Sequence, residues 1–467
     1  MRSQNPVETR VGTIVVVPSL TLPLEDLRKV TGIVFYEERL LCFLLLLADP
    51  ATRVVYTTST PVDPAIIEYY LRFVPDPADA RSRLRLVDAG DADLGWLSAK
   101  LLSNRAAFTR LLEAIGDPAR AYLLPFIATP VEHELAEALG VPVDGPRPEL
   151  RALGSKTGAR EAARQAGVGI LPGSEDLFTV EDVTAAVTAL VACRPELEAV
   201  VIKLNDSFSG LGNVILEVDG LADPLPTSKS VFCSEEENWP AYIAKMADQG
   251  AVVEELLRAP ELRSPSVQLR ISPTGVVEIL STHDQILGGP QNQVYLGCRF
   301  PAHPDYRLSI QREALKIGQV LAAEGVVGSF GIDFLVVGDD VYLSEINLRL
   351  GGTTHPFWMA RLATGARYDL DSGELRRPDG GARYYVATDN LKSDRLRGRS
   401  PRDAISLIDR SGLGYDQATG CGIALHLLGA VPVAGKLGAT CIADSAVWAD
   451  DLSRALLDLL GADLPSS

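Results

Sequence analysis

The sequence predicts an α/β domain on a parallel sheet, followed by an α+β part with antiparallel sheets and a C-terminal extension. Three observations carry that prediction. Through residues 1–148, apolar β-branched runs alternate with longer helical stretches, the rhythm of βαβ units. From Val200 the pattern changes to short strands joined by Gly, Pro, Asn and Asp turns, which favours antiparallel pairing. At 467 residues the chain also exceeds the size at which one core keeps growing.

Taken in order, VGTIVVVP, TRVVYTTST, RLRLVDAG and AYLLPFIATP read as strands, with helical stretches from Leu24 and Pro64 and another after the third strand. The run LLCFLLLLA, Leu40 to Ala48, is about half the length a bilayer crossing needs and reads as a buried helix end. VDGPRPE, with two prolines and a glycine, suits a domain boundary at 148. GSKTGAREAARQAGVG is a helix stopped by its glycines. The strands VVIKL, NVILEV, AVVEELL, PSVQLRI, VVEILST, GIDFLVV and VYLSEIN follow, then RYYVATDN, CGIALHLL and ATCIADS and a closing amphipathic helix, VWADDLSRALLDLLG.

Composition narrows the function. Apolar residues at 46% and charged residues at 22% are ordinary for a folded chain. A net charge of −17 repels phosphate backbones, so nucleic acid is not an expected partner. The densest basic stretch, Lys392 to Arg402, reads as a solvated turn or a closing loop. The opening residues reach only a short apolar run before Pro18, with no small-residue cleavage site, so no signal peptide, no membrane and a cytoplasmic location are expected. Six scattered cysteines form no CxxC pair, which removes structural zinc and thiol-redox chemistry.

Residues 328–352, GSFGIDFLVVGDDVYLSEINLRLGG, read as a hairpin with strands 332–337 and 341–347 about a turn at Gly338–Asp340. In that register Asp333 faces Glu345, and Asn347 and Arg349 share the face of Glu345 because side chains alternate with period two. Carboxylates directly opposite each other repel, and a divalent cation resolves the repulsion. Oxygen donors from Asp, Glu and Asn suit Mg²⁺, while Arg349 is placed to meet a phosphate with its planar fork.

Two upstream segments supply a phosphate cradle and a base pocket. In VVIKLNDSFSGLGNVILEV, Ser209, Gly210 and Gly212 let backbone N–H groups approach phosphate oxygens, and Lys203 reaches toward them from its strand; alone, the loop reads equally as a turn. It is not a Walker loop, since GxxxxGK[ST] is absent. In AVVEELLRAPE, Glu254 and Glu255 are candidates for an adenine edge and Glu261 for a ribose, with a half-buried strand carrying solvated acids as the alternative.

The order Lys156, Lys203 with its glycine loop, Glu254 to Leu257, Glu261, then Asp333, Glu345, Asn347 and Arg349 resembles the ATP-grasp superfamily. The resemblance covers residues 150 to about 360. It implies residues 1–148 as the α/β domain, 149–262 as a nucleotide-binding subdomain, 263–365 as a metal-binding and catalytic subdomain, and 366–467 as an extension packed on them. It also implies ATP and Mg²⁺ as cofactors. Lys156 and Lys203 fall on the phosphates, Glu254 and the Glu255, Leu256 and Leu257 backbone on adenine, Glu261 on ribose, Asp333, Glu345 and Asn347 on magnesium, and Arg349 on the transferring phosphate. Within the superfamily, EINLRLGGTTHPFW and THDQILGGPQNQVYLGCRFP look most like the peptide ligase of pheganomycin antibiotic biosynthesis and its relatives.

That resemblance implies an amide-forming ligase that couples an amino-acid carboxylate to an amine, such as a peptide N-terminus, through an acyl phosphate. A phosphate cradle, paired carboxylates and an arginine suffice for phosphoryl transfer, which rests on positioning and charge neutralisation. No nucleophile-elbow GxSxG triad and no kinase HRD/DFG pair is present. Arg270 and His283 join Arg349 as catalytic candidates, His283 and His355 as bases for the amine or as structural residues. Asp284, Gln293, Tyr295, Arg299, Thr354 and His355 are candidate substrate contacts. The expected partners are amino-acid and peptide substrates, with a homodimer left open. Another ATP-grasp enzyme such as a carboxylase, and a nonenzymatic ATP-binding regulator, remain the rivals.

Overall fold

The computed structural model describes residues 12–207, 210, 212–218, 230–234, 237–288 and 294–462. The N-terminal strands are β1 (Thr13–Val17), β2 (Arg53–Thr58), β3 (Leu84–Asp88) and β4 (Ala121–Pro125). They form a wholly parallel sheet of order β3-β2-β1-β4, as the alternating pattern predicts. Its two faces differ. Val15, Val17, Val55 and Val87 pack on one face with the nearby helices Leu97–Ser103, Arg105–Ile115 and Pro130–Leu139. The other face, with Ile14, Val16, Val54 and Tyr56, belongs to a core that also holds Ile423, Leu437, Ile442 and Leu456. Ile33–Ala48, containing the apolar run expected as a helix end, is a buried stretch of 3₁₀ turns in that same core.

The second sheet holds β6 (Gly173–Leu177), β7 (Ala199–Leu204), β8 (Asn213–Glu217), β9 (Ser230–Phe232) and β10 (Ala251–Glu255), in the order β6-β10-β7-β8-β9 and antiparallel throughout. A third, larger sheet gathers β5 (Gly169–Ile170), β11 (Pro265–Ile271), β12 (Val277–Gly288), β13 (Val294–Phe300), β14 (Gly328–Val337), β15 (Asp340–Asn347), β16 (Arg367–Asp369), β17 (Glu374–Arg376) and β18 (Ala382–Lys392), with β19 (Gly422–His426) and β20 (Lys436–Ala443) attached through β18. Because β18 pairs with both β13 and β20, the C-terminal strands extend this sheet. Among the described residues no helix is long and apolar enough to cross a membrane.

The hairpin that carries the acid pair differs from expectation in its turn. Val336 pairs with Val341 and Val337 with Asp340, so the turn is two residues, Gly338–Asp339, with Gly338 at φ 58° as such tight turns require. That register alone would place Asp333 opposite Ser344, one residue short of Glu345. A β-bulge at Ser344 absorbs the difference, and Asp333 faces Glu345 after all.

The helix Lys156–Ala166 forms as its caps dictate: the Ser155 hydroxyl accepts from Gly158 N at 3.0 Å, and Gly167 ends it in the left-handed region. Its apolar stripe of Ala159, Ala162 and Ala163 packs against the large sheet, while Arg160 is buried toward the five-stranded sheet, where it meets Glu175 of β6 and Glu254 of β10.

Candidate active site

A cleft of about 1510 Å³ opens between the sheets, lined by Lys203 of β7, Leu256 just beyond β10, Asp333 of β14, Asn347 of β15 and Lys436 of β20. Arg39, from the 3₁₀ stretch, lines it as well. The hairpin, the five-stranded sheet, the N-terminal part and the C-terminal strands thus meet at one cavity.

At its acidic end Asn347 Nδ2 donates to Asp333 Oδ2 at 3.1 Å and to Glu345 Oε1 at 2.9 Å, while Lys156 Nζ donates to Glu345 Oε2. Burial together with the charge on Glu345 pushes the Asp333 carboxyl up to about 7. Burial alone would raise Glu345 too, but Lys156 holds it well below the carboxylate range. The two acids therefore hold one firm negative charge and one that forms only at a cost, a frustration that a cation would relieve. Among the described residues no three or more His, Cys, Asp or Glu gather into a metal cage. Two carboxylates and an amide in an open cleft suit a cation that keeps waters or takes phosphate oxygens. Arg349 Nη2 donates to Asn347 Oδ1 at 3.0 Å and Nη1 to Leu350 O at 3.1 Å. Both are neutral acceptors, so the guanidinium lines the cleft without a carboxylate partner among the described residues. Burial lowers its pKa, against the pull of Glu345 and Asp333.

Lys203 lies 2.6 Å from Glu254, whose other oxygen accepts from Arg160 Nη1 at 2.5 Å. Burial would raise Glu254, yet these two cations hold it down. Glu254 is buried and does not line the cleft, contrary to the expectation that it meets an adenine; it anchors Lys203 instead. Gly210, at φ 76°, lines the cleft beside Lys203, whereas Gly212 is packed against Ser207, where an added Cβ would come within 2.5 Å. Ser209 lies outside the described residues. Glu255, Leu256 and Leu257 border the cleft, and Leu256 N donates to Ala199 O at 3.0 Å. Glu261 is exposed and off the cleft.

Several expected contacts lie elsewhere. Arg270 is fully buried and donates to Asp144, at the boundary segment, at 2.6 Å. His283 is also fully buried, its Nε2 2.6 Å from the Tyr385 hydroxyl, and burial pushes its pKa down to about 3, so neither residue is a catalytic group of this cleft. Asp284 accepts from His303 N at 2.9 Å and Tyr306 OH at 2.7 Å, and Arg299 pairs with Asp450 at 3.0 Å on the surface. Thr354 accepts from Gly351 N at 2.9 Å, and His355 is buried against Asp389 at 2.9 Å. None of the four lines the cleft, although Thr354 braces the lining residue Gly351. Tyr295 does line the cleft, and Gln293 lies outside the described residues.

Sequence reasoning passed over Arg160, Ser344, Arg39 and Lys436, and read Lys392 only as the start of a solvated turn or closing loop, whereas it lines the cleft. A cation inside the alanine stripe of a short helix was a readable sign for the first. The bulge residue Ser344, the cations Arg39 and Lys436, and the place of Lys392 at the cleft become visible only once the chain is folded.

Residues 226–345 match the family model described as IQCH-like, ATP-grasp, and residues 403–456 the one described as PGM1 C-terminal domain. The chain is 35% identical over 454 residues to the L-propargylglycine–L-glutamate ligase of Streptantibioticus cattleyicolor, covering 94% of this chain and 92% of that protein. It is 21% identical over 397 residues to IQ motif-containing protein H of Danio rerio, covering 73% of this chain and 37% of that protein. In fold it is similar to the biotin carboxylase of Campylobacter jejuni, at a TM-score of 0.57 and 16% identity over 97% of this chain and 92% of that one. It is also similar to N5-carboxyaminoimidazole ribonucleotide synthetase of Thermus thermophilus, at 0.53 and 15% over 97% and 100%.

Proposed function

From the premise that the chain belongs to the ATP-grasp carboxylate–amine ligases, we propose that it joins the carboxylate of one amino acid to the amine of another amino acid or peptide in the cleft between Lys203 and Arg349. The observation that carries this reading is the Asp333 and Glu345 pair, kept opposed by the Ser344 bulge with Asn347 across both and Arg349 beside them. A purely structural hairpin gains nothing from that arrangement.

Asp333, Glu345 and Asn347 are the residues that would hold Mg²⁺, which when bound supplies positive charge to phosphate oxygens. Lys203 lines the cleft where a polyphosphate would draw on it, with Gly210 offering close backbone approach, while Lys156 is buried off the cleft wall and reaches this end through Glu345, which does line it. Leu256 and Leu257 give apolar walls for a base. The substrate carboxylate oxygen attacks the γ-phosphorus, the bond to the β–γ bridging oxygen breaks, and ADP leaves. The amine nitrogen then attacks the acyl carbon, the carbon–oxygen bond to phosphate breaks, and the amine gives up a proton. Arg349 meets the charge that builds on the oxygens in both steps. The cytoplasm, where ATP is supplied, is the compartment this reading requires.

The test is incubation with ATP, Mg²⁺ and single amino acids in the presence of hydroxylamine, with L-glutamate and L-propargylglycine among the acids and bicarbonate as a further arm. Expected products are a hydroxamate, ADP and phosphate. AMP and pyrophosphate would overturn the acyl-phosphate route, and turnover with bicarbonate alone would move the enzyme to the carboxylases.

A further inference from the structure

The cleft has a second polar end that the reaction at the acid pair does not use. Lys436 from β20, Lys392 and Asn390 from β18, and Tyr36 and Arg39 from the 3₁₀ stretch all line it. Lys436 is 2% exposed. Its ammonium donates to the Tyr36 hydroxyl at 2.7 Å and lies 4.9 Å from the centre of the Tyr36 ring. Among the described residues neither Lys436 nor Lys392 has a carboxylate within ion-pair distance. Arg39 Nε lies 2.8 Å from Asp389, and its guanidinium covers the Tyr36 ring at 4.0 Å. Asp389 is already shared, since His355 Nε2 lies 2.9 Å from it. Three cations therefore border the cavity against a single acid.

A buried ammonium held only by a hydroxyl and a ring face is costly, and protein interiors keep such groups where an anion completes them. Burial lowers the pKa of Lys436 to about 8, with Asp389 opposing the shift and Arg39 adding to it, so the ammonium form still dominates at neutral pH. Arg39 also acts electrostatically on Arg349, which places this end beside the reacting groups. Phosphates have Lys156 and Lys203 on other elements, and the reacting carboxylate belongs with Arg349. What remains without cationic partners is a carboxylate that does not react. The substrate that delivers the amine always carries one when it is an amino acid or peptide.

We propose that Lys436, Lys392 and Arg39 form the subsite for the non-reacting carboxylate of the amine substrate. The proposal rests on the ligase reading above, and it gives the strands after residue 366 a part in choosing the substrate.

The test uses the full chain with ATP, Mg²⁺ and an acid that gives a hydroxamate, and offers amines in matched pairs: L-propargylglycine against but-3-yn-1-amine, L-alanine against ethylamine, and L-leucine against 3-methylbutylamine. Lys436→Met should raise KM for the carboxylate-bearing amines by about 10- to 100-fold, the range for one charge-assisted hydrogen bond. It should leave the decarboxylated amines and the KM of the acid in the hydroxamate reaction unchanged, and Lys436→Arg should recover most of the loss. Lys392→Met, at an exposed position, gives the same reading in milder form should the buried substitution lower the melting temperature. Equal changes for both members of each pair, a wild-type enzyme indifferent to the carboxylate, or a shift in the KM of the acid would each overturn the subsite. A wild-type chain that forms no hydroxamate with any acid would instead fail the ligase reading, and the subsite with it.

Discussion

Removing one partner of the Arg270–Asp144 pair should unfold the protein more easily without touching catalysis. Both side chains are 1% exposed and only one contact, Nη2 to Oδ1 at 2.6 Å, joins them. Among the described residues Arg270 Nε and Nη1 and Asp144 Oδ2 find no hydrogen-bond partner. Arg270→Met leaves Asp144 buried without its cation, a change that costs about 3–5 kcal/mol in comparable sites. At roughly 2 °C per kcal/mol for a large chain, the melting temperature should fall by about 6–10 °C. Because the wild-type pair is itself poorly satisfied, adding Asp144→Leu should restore most of that loss, and the double variant should match or exceed wild type. Thermal unfolding at a fixed scan rate, with kcat and KM measured on the folded protein, reads both quantities. An Arg270→Met variant that melts like wild type but turns over at least tenfold more slowly would refute the structural assignment and return Arg270 to the reaction.

Three further outcomes follow from the site and its surroundings. Glu345→Ala should abolish turnover with little net change in melting temperature, since Lys156 loses its partner while Asp333 loses its repulsion; substantial activity at saturating magnesium would contradict the assignment of the acid pair. Lys203→Ala should weaken ATP binding by about 1.5–3 kcal/mol but AMP binding much less, because the lost charge addresses the outer phosphates. Glu254 keeps Arg160 in that variant, so the fold should hold, and equal losses for ATP and AMP in calorimetric titration would count against a phosphate contact. His283 stays neutral when folded down to about pH 3 but takes a proton near 6.5 when unfolded, so its contribution to stability is whole above pH 6.5 and falls by up to about 1.4 kcal/mol per pH unit below it. His283→Gln should flatten that acid limb, and an unchanged melting-temperature profile between pH 6.5 and 4 would show that another group causes it.

The acid pair was legible because the period-two rule needs only the hairpin and its approximate turn. Even so, the facing of Asp333 and Glu345 follows from two departures from the simple reading that cancel, a turn one residue shorter and a bulge one residue longer. Lys203 and the Leu256 edge were legible for a similar reason: each sits in a short strand whose neighbours identify it. Arg270 and His283 looked like site residues because polar side chains in strands usually face water, and nothing local tells that β11 and β12 are covered on both faces. Lys436 was invisible for the opposite reason. It stands in LGAVPVAGKLGAT, a stretch without other charges, and gains meaning only from Tyr36 and Arg39, which are distant in sequence and supplied by the 3₁₀ stretch.

The two faces of the N-terminal sheet set unequal demands on the order in which the chain can fold. Val15, Val17 and Val55 meet helices that end by residue 139, so that face closes as soon as its own segment exists. Ile14, Val16 and Tyr56 share their core with Ile423, Leu437 and Leu456, and Leu425 N donates to Tyr69 OH at 2.8 Å across the same junction. The 3₁₀ stretch Ile33–Ala48 covers this face first, but its own outer side packs on the later helix Thr354–Thr364 and on Leu428–Ala430; during synthesis at about 5–20 residues per second, the roughly 400 residues between it and the C-terminal strands leave that core incomplete for roughly 20–80 s. A nascent chain in this state presents the leucines of that stretch to water, and the ribosome-bound intermediate, more than the finished enzyme, is where a chaperone's help would count.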